Sequence, residues 1–376
     1  MLEAGRGESE YTRYDRKVAQ LASDWLLERV DSDEPWVLFV SFVTPHYPLL
    51  APDEFFDLYP ADQMPKLGHP TDYIHHPWLA GIMKINLGAD GSARAHKTAY
   101  AAYRGLCSFM DAMVGKVVNT LMDIGGLRRT RLICTSDHGE SAGARGQWGK
   151  FNHYEEASSI PTILAGAGAP AGKVSRTPVS LVDVHPSIIN WTIAEDPDAG
   201  ELPGCCLFEI TAEDNDPDRV AFSEYHAAKS PSGSFMIRKG RYKYIYYVGF
   251  EPELFDLESD PEEEQDLSSD PLYVDVLRDY EAILRGMVDP EEIDRQANAA
   301  QKEVIERVGG PEQVFANLVT AKVTRRCRTQ SMPRCTPNWS RGFAGRSCRR
   351  DHQRPAFRRP RLGKGARRLW RAGNLS

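Results

Sequence analysis

The sequence predicts an α/β protein: a mostly parallel sheet flanked by helices, then a small antiparallel subdomain towards the C-terminus. Three observations carry that expectation. Continuous apolar, β-branched and aromatic runs at 36–43 (WVLFVSFV), 131–136 and 160–168 read as strands covered on both faces. Segments with helical spacing alternate with them at 15–30 and 96–124. After residue 215 the texture changes to short strand-like segments, RVAFSEY, SFMIRKG and RYKYIYYV.

Taken in order, the segment 15–30 sets Val18, Leu21, Ala22, Trp25, Leu26 and Val30 on one helical face. The run at 36–43 breaks at TPHYPLLAP, whose three prolines cannot donate to a sheet. Residues 60–95 are loop-like and rich in His, Pro and Gly. The helix over 96–124 carries a stripe of Tyr103, Cys107, Met110, Val114, Val117 and Leu121 and ends at Gly125-Gly126. The strand at 131–136 runs into TSDHGESAGARGQWGKFNHYEE, residues 135–156. IPTILAGAG, 160–168, is a further strand, and 179–192 reads as a strand edge followed by a helix. Lys239-Gly240 joins the last two short strands, along which Arg238, Lys239, Arg241 and Lys243 read as a solvated face. ELFDLESDPEEEQDL is an acidic turn, and 271–308 reads as two helices. The expected organisation is a partial α/β domain at 1–215, an α+β subdomain at 216–310 and a basic, disordered tail at 322–376.

Charge and composition narrow the function classes. The chain has 376 residues and a net charge of −7, yet residues 322–376 hold 17 Lys and Arg against one acid, Asp351. That tail lacks any helix or strand period, so a solvated extension or a shifted reading frame is preferred to nucleic-acid binding. No apolar run approaches a membrane span, and residues 1–10 contain no signal-peptide core, which sets the cytoplasm as the expected compartment. Seven cysteines without regular spacing suggest neither a disulfide framework nor a zinc module.

The chemistry concentrates after the strand at 131–136. Asp137 and His138, side by side at a strand end, can reach one divalent cation. The imidazole nitrogen tilts preference from Ca²⁺ towards Mn²⁺ or Zn²⁺, and two ligands need further partners. Lys150, in a Gly-rich loop, and His46, just past the strand at 36–43, suit an oxyanion such as sulfate or phosphate. Trp148 and Tyr47 are candidates to wall that pocket, and His153 to support it.

LICTSDHGESAGARGQWGKFNHYEEASSIPTILAGAG resembles the second signature region of the sulfatase family, within the alkaline-phosphatase superfamily. FVSFVTPHYPLLAPDEFFDLYP is similar to that family's substrate-histidine segment, and residues 222–267 resemble its C-terminal subdomain in choline-sulfatase-like and bacterial arylsulfatase-like branches. The resemblance implies a sulfatase-like fold, incomplete at the N-terminus, and metal-assisted hydrolysis of a small sulfate ester. It implies Asp137 and His138 as metal ligands, and Lys150 and His46 as the catalytic, sulfate-binding pair, His46 protonating the leaving oxygen. It also implies a divalent metal, Ca²⁺ first and Mn²⁺ second, and a formylglycine nucleophile.

That nucleophile motif, Cys or Ser, any residue, Pro, any residue, Arg, is absent. Cys335-Thr336-Pro337 lacks the Arg, and Cys107 falls on a helical stripe. The chain alone is therefore expected to be truncated and inactive. Two other readings remain: a phosphonate monoester or phosphodiester hydrolase of the same superfamily, and a non-catalytic fragment or binding module. The expected partners are a small sulfate, phosphate or phosphonate ester, with a second copy or a separately encoded N-terminal half as protein partners, and no membrane.

Overall fold

The structure, a computed structural model, describes residues 3–32, 34–65, 74–83, 92–192, 203–227 and 230–317. The basic tail, His69 and Asp33 lie outside the described residues. The chain divides into two compact units, Met1–Leu284 and Arg285–Ser376.

The first unit opens with β1 (Ala4–Arg6) and α1 (Glu10–Leu27). Ser9 caps α1 by accepting the Thr12 N–H at 3.1 Å, and the Thr12 hydroxyl accepts the Ser9 N–H at 2.9 Å. Its buried face is Thr12, Asp15, Ala19, Ala22, Ser23 and Leu26, while Leu21 is 57% exposed. The stripe therefore sits one position from the predicted one, because hydrophobicity alone overlooked the small and polar residues. Asp15 is buried because it has partners: its carboxylate accepts Val43 N–H at 2.9 Å, Thr44 N–H at 2.8 Å and the Thr44 hydroxyl at 2.6 Å.

Residues 36–43 are a correction. They run extended with alternating exposure, Phe39 reaching 87%, and form no ladder among the described residues. An apolar β-branched sequence supplies the pleat, but a strand needs a neighbour for its N–H and C=O groups. After them β2 (Leu49–Ala51) pairs in parallel with β1, Ala4 opposite Leu49. Two short helices follow, α2 (Asp53–Phe56) and α3 (Pro77–Met83).

The long helix α4 (Ala93–Asp123) packs on α1 and on the β1–β2 pair. Its buried residues are Ala99, Ala101, Ala102, Gly105, Leu106, Phe109, Met113 and Leu121; Leu121 lies on the predicted stripe, and the rest are displaced from it. Small residues decide it: a Cβ on Gly105 would lie 2.9 Å from the Ala51 Cβ and 3.1 Å from the Phe55 carbonyl oxygen. Gly125, at φ 68°, turns the chain out of the helix.

Next come β3 (Arg131–Thr135), the short helix α5 (Glu155–Ser158) and β4 (Thr162–Gly166). The α/β class stands, but β3 and β4 pair antiparallel, Ile133 opposite Leu164, so parallel pairing is confined among the described residues to β1–β2. The expected strand edge at 179 is instead a 3₁₀ turn, Leu181–Asp183, leading into α6 (Val184–Thr192). Then follow α7 (Leu207–Ala212) and a four-stranded antiparallel sheet, β5 (Val220–Tyr225), β6 (Ser234–Lys239), β7 (Tyr242–Tyr247) and β8 (Glu253–Asp256), in that spatial order.

Met236, Ile245, Tyr247 and Phe255 of this sheet pack with Trp78, Leu79 and Ile82 of α3 and with Tyr154. Each such side chain contributes roughly 1.5–3 kcal/mol of burial free energy. This core seats the β-subdomain against the segment that follows Lys150. α8 (Val274–Met287) carries the last residues of the first unit, up to Leu284, and its Tyr280 hydroxyl donates to the Lys239 carbonyl at 2.6 Å. The second unit holds α9 (Pro290–Arg307), capped by Asp289, which accepts the Glu292 N–H at 3.0 Å. No helix among the described residues is long and apolar enough to cross a membrane. Cys107, Cys134, Cys205 and Cys206 are free thiols.

Candidate active site

Asp137 and His138 lie just past the end of β3. The His138 N–H donates to Asp137 Oδ1 at 3.0 Å, which turns Oδ2 towards the ring, 3.5 Å from Nε2. Nδ1 lies 2.8 Å from the Gly139 carbonyl oxygen. In the neutral ring that carbonyl selects the tautomer with hydrogen on Nδ1, so the Nε2 lone pair faces the Asp137 oxygen. Two facing lone pairs are stabilised by a cation between them, so the two donors fit a metal. They do not complete its shell: among the described residues no three His, Cys, Asp or Glu side chains converge on a metal-sized space.

The loop after Glu140 folds back on itself. Ser141 N–H donates to the Gly149 carbonyl at 2.8 Å and Gly143 N–H to the Gln147 carbonyl at 2.7 Å. Glu140 Oε1 accepts Ala142 N–H at 3.2 Å and also Gly149 N–H. These bonds bring Gly149, the residue before Lys150, back beside Glu140 and Ser141. Lys150 is half-buried and, among the described residues, makes neither a hydrogen bond nor an ion pair. An ammonium that makes no ion pair keeps its donors available to an anion.

Gly139 is required by close packing. A Cβ there would sit 2.1 Å from the Glu156 carbonyl oxygen, and its N–H donates to the Ala157 carbonyl at 2.8 Å. The strand end thus rests directly on α5.

His46 is exposed, on the turn closed by its own N–H to the Val43 carbonyl at 3.0 Å. Its Nδ1 is 2.6 Å from the Tyr47 carbonyl oxygen and its ring meets Tyr11 edge-on at 5.8 Å. Asp15 anchors this turn from α1. The structure brings Asp137 and His138 into contact and Gly149, the residue before Lys150, back beside Glu140; among the described residues no bond joins His46 to Asp137, His138 or Lys150.

Other expectations shift. Trp148 is buried in the core with Leu49, Ala51, Ala102 and Leu106, so it packs the loop instead of lining a pocket, while Tyr47 stays exposed. His153 is buried, 3.3 Å from the Ser234 carbonyl oxygen, and burial pushes its pKa down to about 4. Lys243 overturns the solvated-face reading: it is fully buried, 2.8 Å from both Glu155 and Glu263. Arg145 and Glu263, both buried, and the partly exposed Glu156 beside Arg145 escaped sequence reasoning because nothing local marks a charged residue for burial. The one available signal was an Arg inside a Gly-rich loop.

Comparison with known proteins identifies the family. The Sulfatase family profile matches residues 4–194, just over half of the chain, and the profile "N-sulphoglucosamine sulphohydrolase, C-terminal" matches 143–289. The chain is 33% identical over 294 residues to choline-sulfatase of Rhizobium meliloti, covering 71% of this chain and 54% of that protein. It is 30% identical over 243 residues to arylsulfatase K of Danio rerio, covering 62% and 45%. The chain therefore spans about half the length of the curated relatives it matches. A phosphonate monoester hydrolase from Silicibacter pomeroyi shares the fold, with a TM-score of 0.62 and 23% identity over 71% of this chain and 59% of that one. With the profile covering half the chain and the loop of Asp137, His138 and Lys150 inside it, this chain belongs to the sulfatase family.

Proposed function

We propose that this chain carries the anion-holding part of a sulfate-ester hydrolase. The observation that carries the reading is Lys150: an ammonium with no ion pair among the described residues, directly after a loop closed back on Glu140, in a chain of the sulfatase family. Lys150 would bind the sulfate oxygens and offset charge developing on them. His46, its Nδ1 engaged with a carbonyl, would present Nε2 to the ester and deliver a proton to the leaving oxygen. Asp137 Oδ2 and His138 Nε2 would contribute two donors to a divalent cation, Ca²⁺ first and Mn²⁺ second, whose charge would polarise the sulfate.

The 376 residues contain no Cys or Ser followed by any residue, Pro, any residue and Arg, so the nucleophile would come from outside these residues, and these residues by themselves would bind without turning over. Phosphonate esters present the same tetrahedral anion and are the competing substrate class.

Calorimetric titration with inorganic sulfate and with phenylphosphonate tests both points. Sulfate should bind, Lys150→Met should weaken it at least tenfold, and phenylphosphonate should bind more weakly than sulfate. Equal affinity in the Lys150→Met variant would refute the reading, and a preference for phenylphosphonate would transfer it to the phosphonate class. Addition of a polypeptide bearing the nucleophile motif should then yield turnover of nitrophenyl sulfate.

A further inference from the structure

The loop that carries Lys150 is bolted to the β-subdomain by a buried ionic cluster. Arg145 sits at the tip of that loop, 2% exposed, with its backbone at φ 50°. Its Nη1 donates to both Glu156 carboxylate oxygens at 2.7 Å. Its Nη2 donates to the carbonyls of Glu262 and Glu263, at 2.6 and 3.2 Å, across 117 and 118 residues of sequence. The guanidinium lies over the Tyr154 ring at 3.9 Å. Glu263 faces it from the acidic turn after β8, also at positive φ, 53°, and its carboxylate accepts the Glu155 N–H at 2.6 Å and pairs with Lys243.

Two non-glycine residues in the left-handed region, both buried and charged, meet each other here. Such backbone persists only where surrounding bonds over-determine it, and it concentrates near functional sites. The planar five-donor fork lets one side chain grip a carboxylate and two carbonyls in fixed directions. Desolvation offsets much of the attraction in such a cluster, so its presence is weak evidence of a stabilising role.

We propose that Arg145 is a positioning residue for Lys150: with Glu156, Glu263 and Lys243 it fixes the 141–149 loop to the β-subdomain, so that the anion-binding ammonium is held in one place. This rests on the reading of Lys150 as the sulfate-binding cation.

The experiment uses the full chain, inorganic sulfate as probe, and amide exchange by mass spectrometry over 141–149. Arg145→Met and the milder Glu156→Gln should each lower sulfate affinity of the folded protein about tenfold and speed exchange across 141–149. Arg145→Lys keeps the charge but not the fork, and should restore neither. A purely structural role would lower the melting temperature and leave sulfate affinity of the folded protein within twofold of wild type; that result overturns the proposal. If Lys150→Met leaves sulfate binding intact, the functional reading falls on its own, and exchange then decides the clamp: unchanged exchange over 141–149 in Glu156→Gln and Arg145→Met overturns it as well.

Discussion

Replacing Lys243 by Met isolates the buried cluster from every other feature of the fold. The ammonium lies 2.8 Å from Glu155 Oε1, 2.8 Å from Glu263 Oε1 and 3.2 Å from the Ser158 hydroxyl. The Lys243 and Glu263 side chains are both fully buried. At an effective dielectric of about 20, each contact at this distance is worth about 6 kcal/mol of attraction, opposed by several kcal/mol of desolvation per ion. Methionine preserves most of the volume, so packing changes little. It removes the ammonium between Glu155 and Glu263, leaving Arg145 Nη2, 3.9 Å from Glu263, as the nearer cation, a loss of about 3–5 kcal/mol. With a urea dependence of about 3 kcal/mol per molar, the unfolding midpoint at pH 7 should fall by about 1–1.7 M.

The pH dependence has a definite sign. Burial pushes the Glu263 carboxyl up, and Lys243 is the leading opposing influence, so the variant raises it further. A raised folded-state pKa gives stability at low pH that is lost as pH rises through it. The penalty of the substitution should therefore shrink on acidification towards pH 5. Adding Glu263→Gln to the variant removes the stranded charge and should recover at least half of the loss. A midpoint shift under about 0.3 M, or no recovery in the double variant, would refute the reasoning.

Glu253 offers a second pH signature: burial pushes its pKa up to about 7, although the Tyr154 and Tyr247 hydroxyls donate to it. Stability should fall by about 3 kcal/mol between pH 4.5 and 7, and denaturant melts of Glu253→Gln should lack that slope. Asp15→Ala strands two backbone N–H groups and the Thr44 hydroxyl, and should cost about 3 kcal/mol in the same melts while raising amide exchange at Val43 and Thr44.

Much of the fold was legible because it is local. The helix at 93–123 and its glycine exit, the strands at 131–135 and 162–166, and the β6–β7 hairpin all follow from period, turn chemistry and β-branching. The faces those helices bury were less legible. Ala99, Ala102 and Gly105 are chosen by how closely β2 and α2 approach, and hydrophobicity cannot register that. The site divides the same way. Asp137, His138, Lys150 and His46 stand in stretches whose residue types announce chemistry. Arg145, Lys243 and Glu263 stand among ordinary surface residues.

By itself the sequence determined which groups can carry charge, which segments can be helix or strand, and that an acid, an imidazole and an ammonium follow one strand. Only the tertiary structure decided which charges lose water. Lys243 meets Glu155 across 88 residues and Arg145 meets Glu262 across 117. Desolvation and pairing depend on neighbours in space, and a charged side chain bears the same chemical identity in sequence whether it ends in solvent or between two carboxylates.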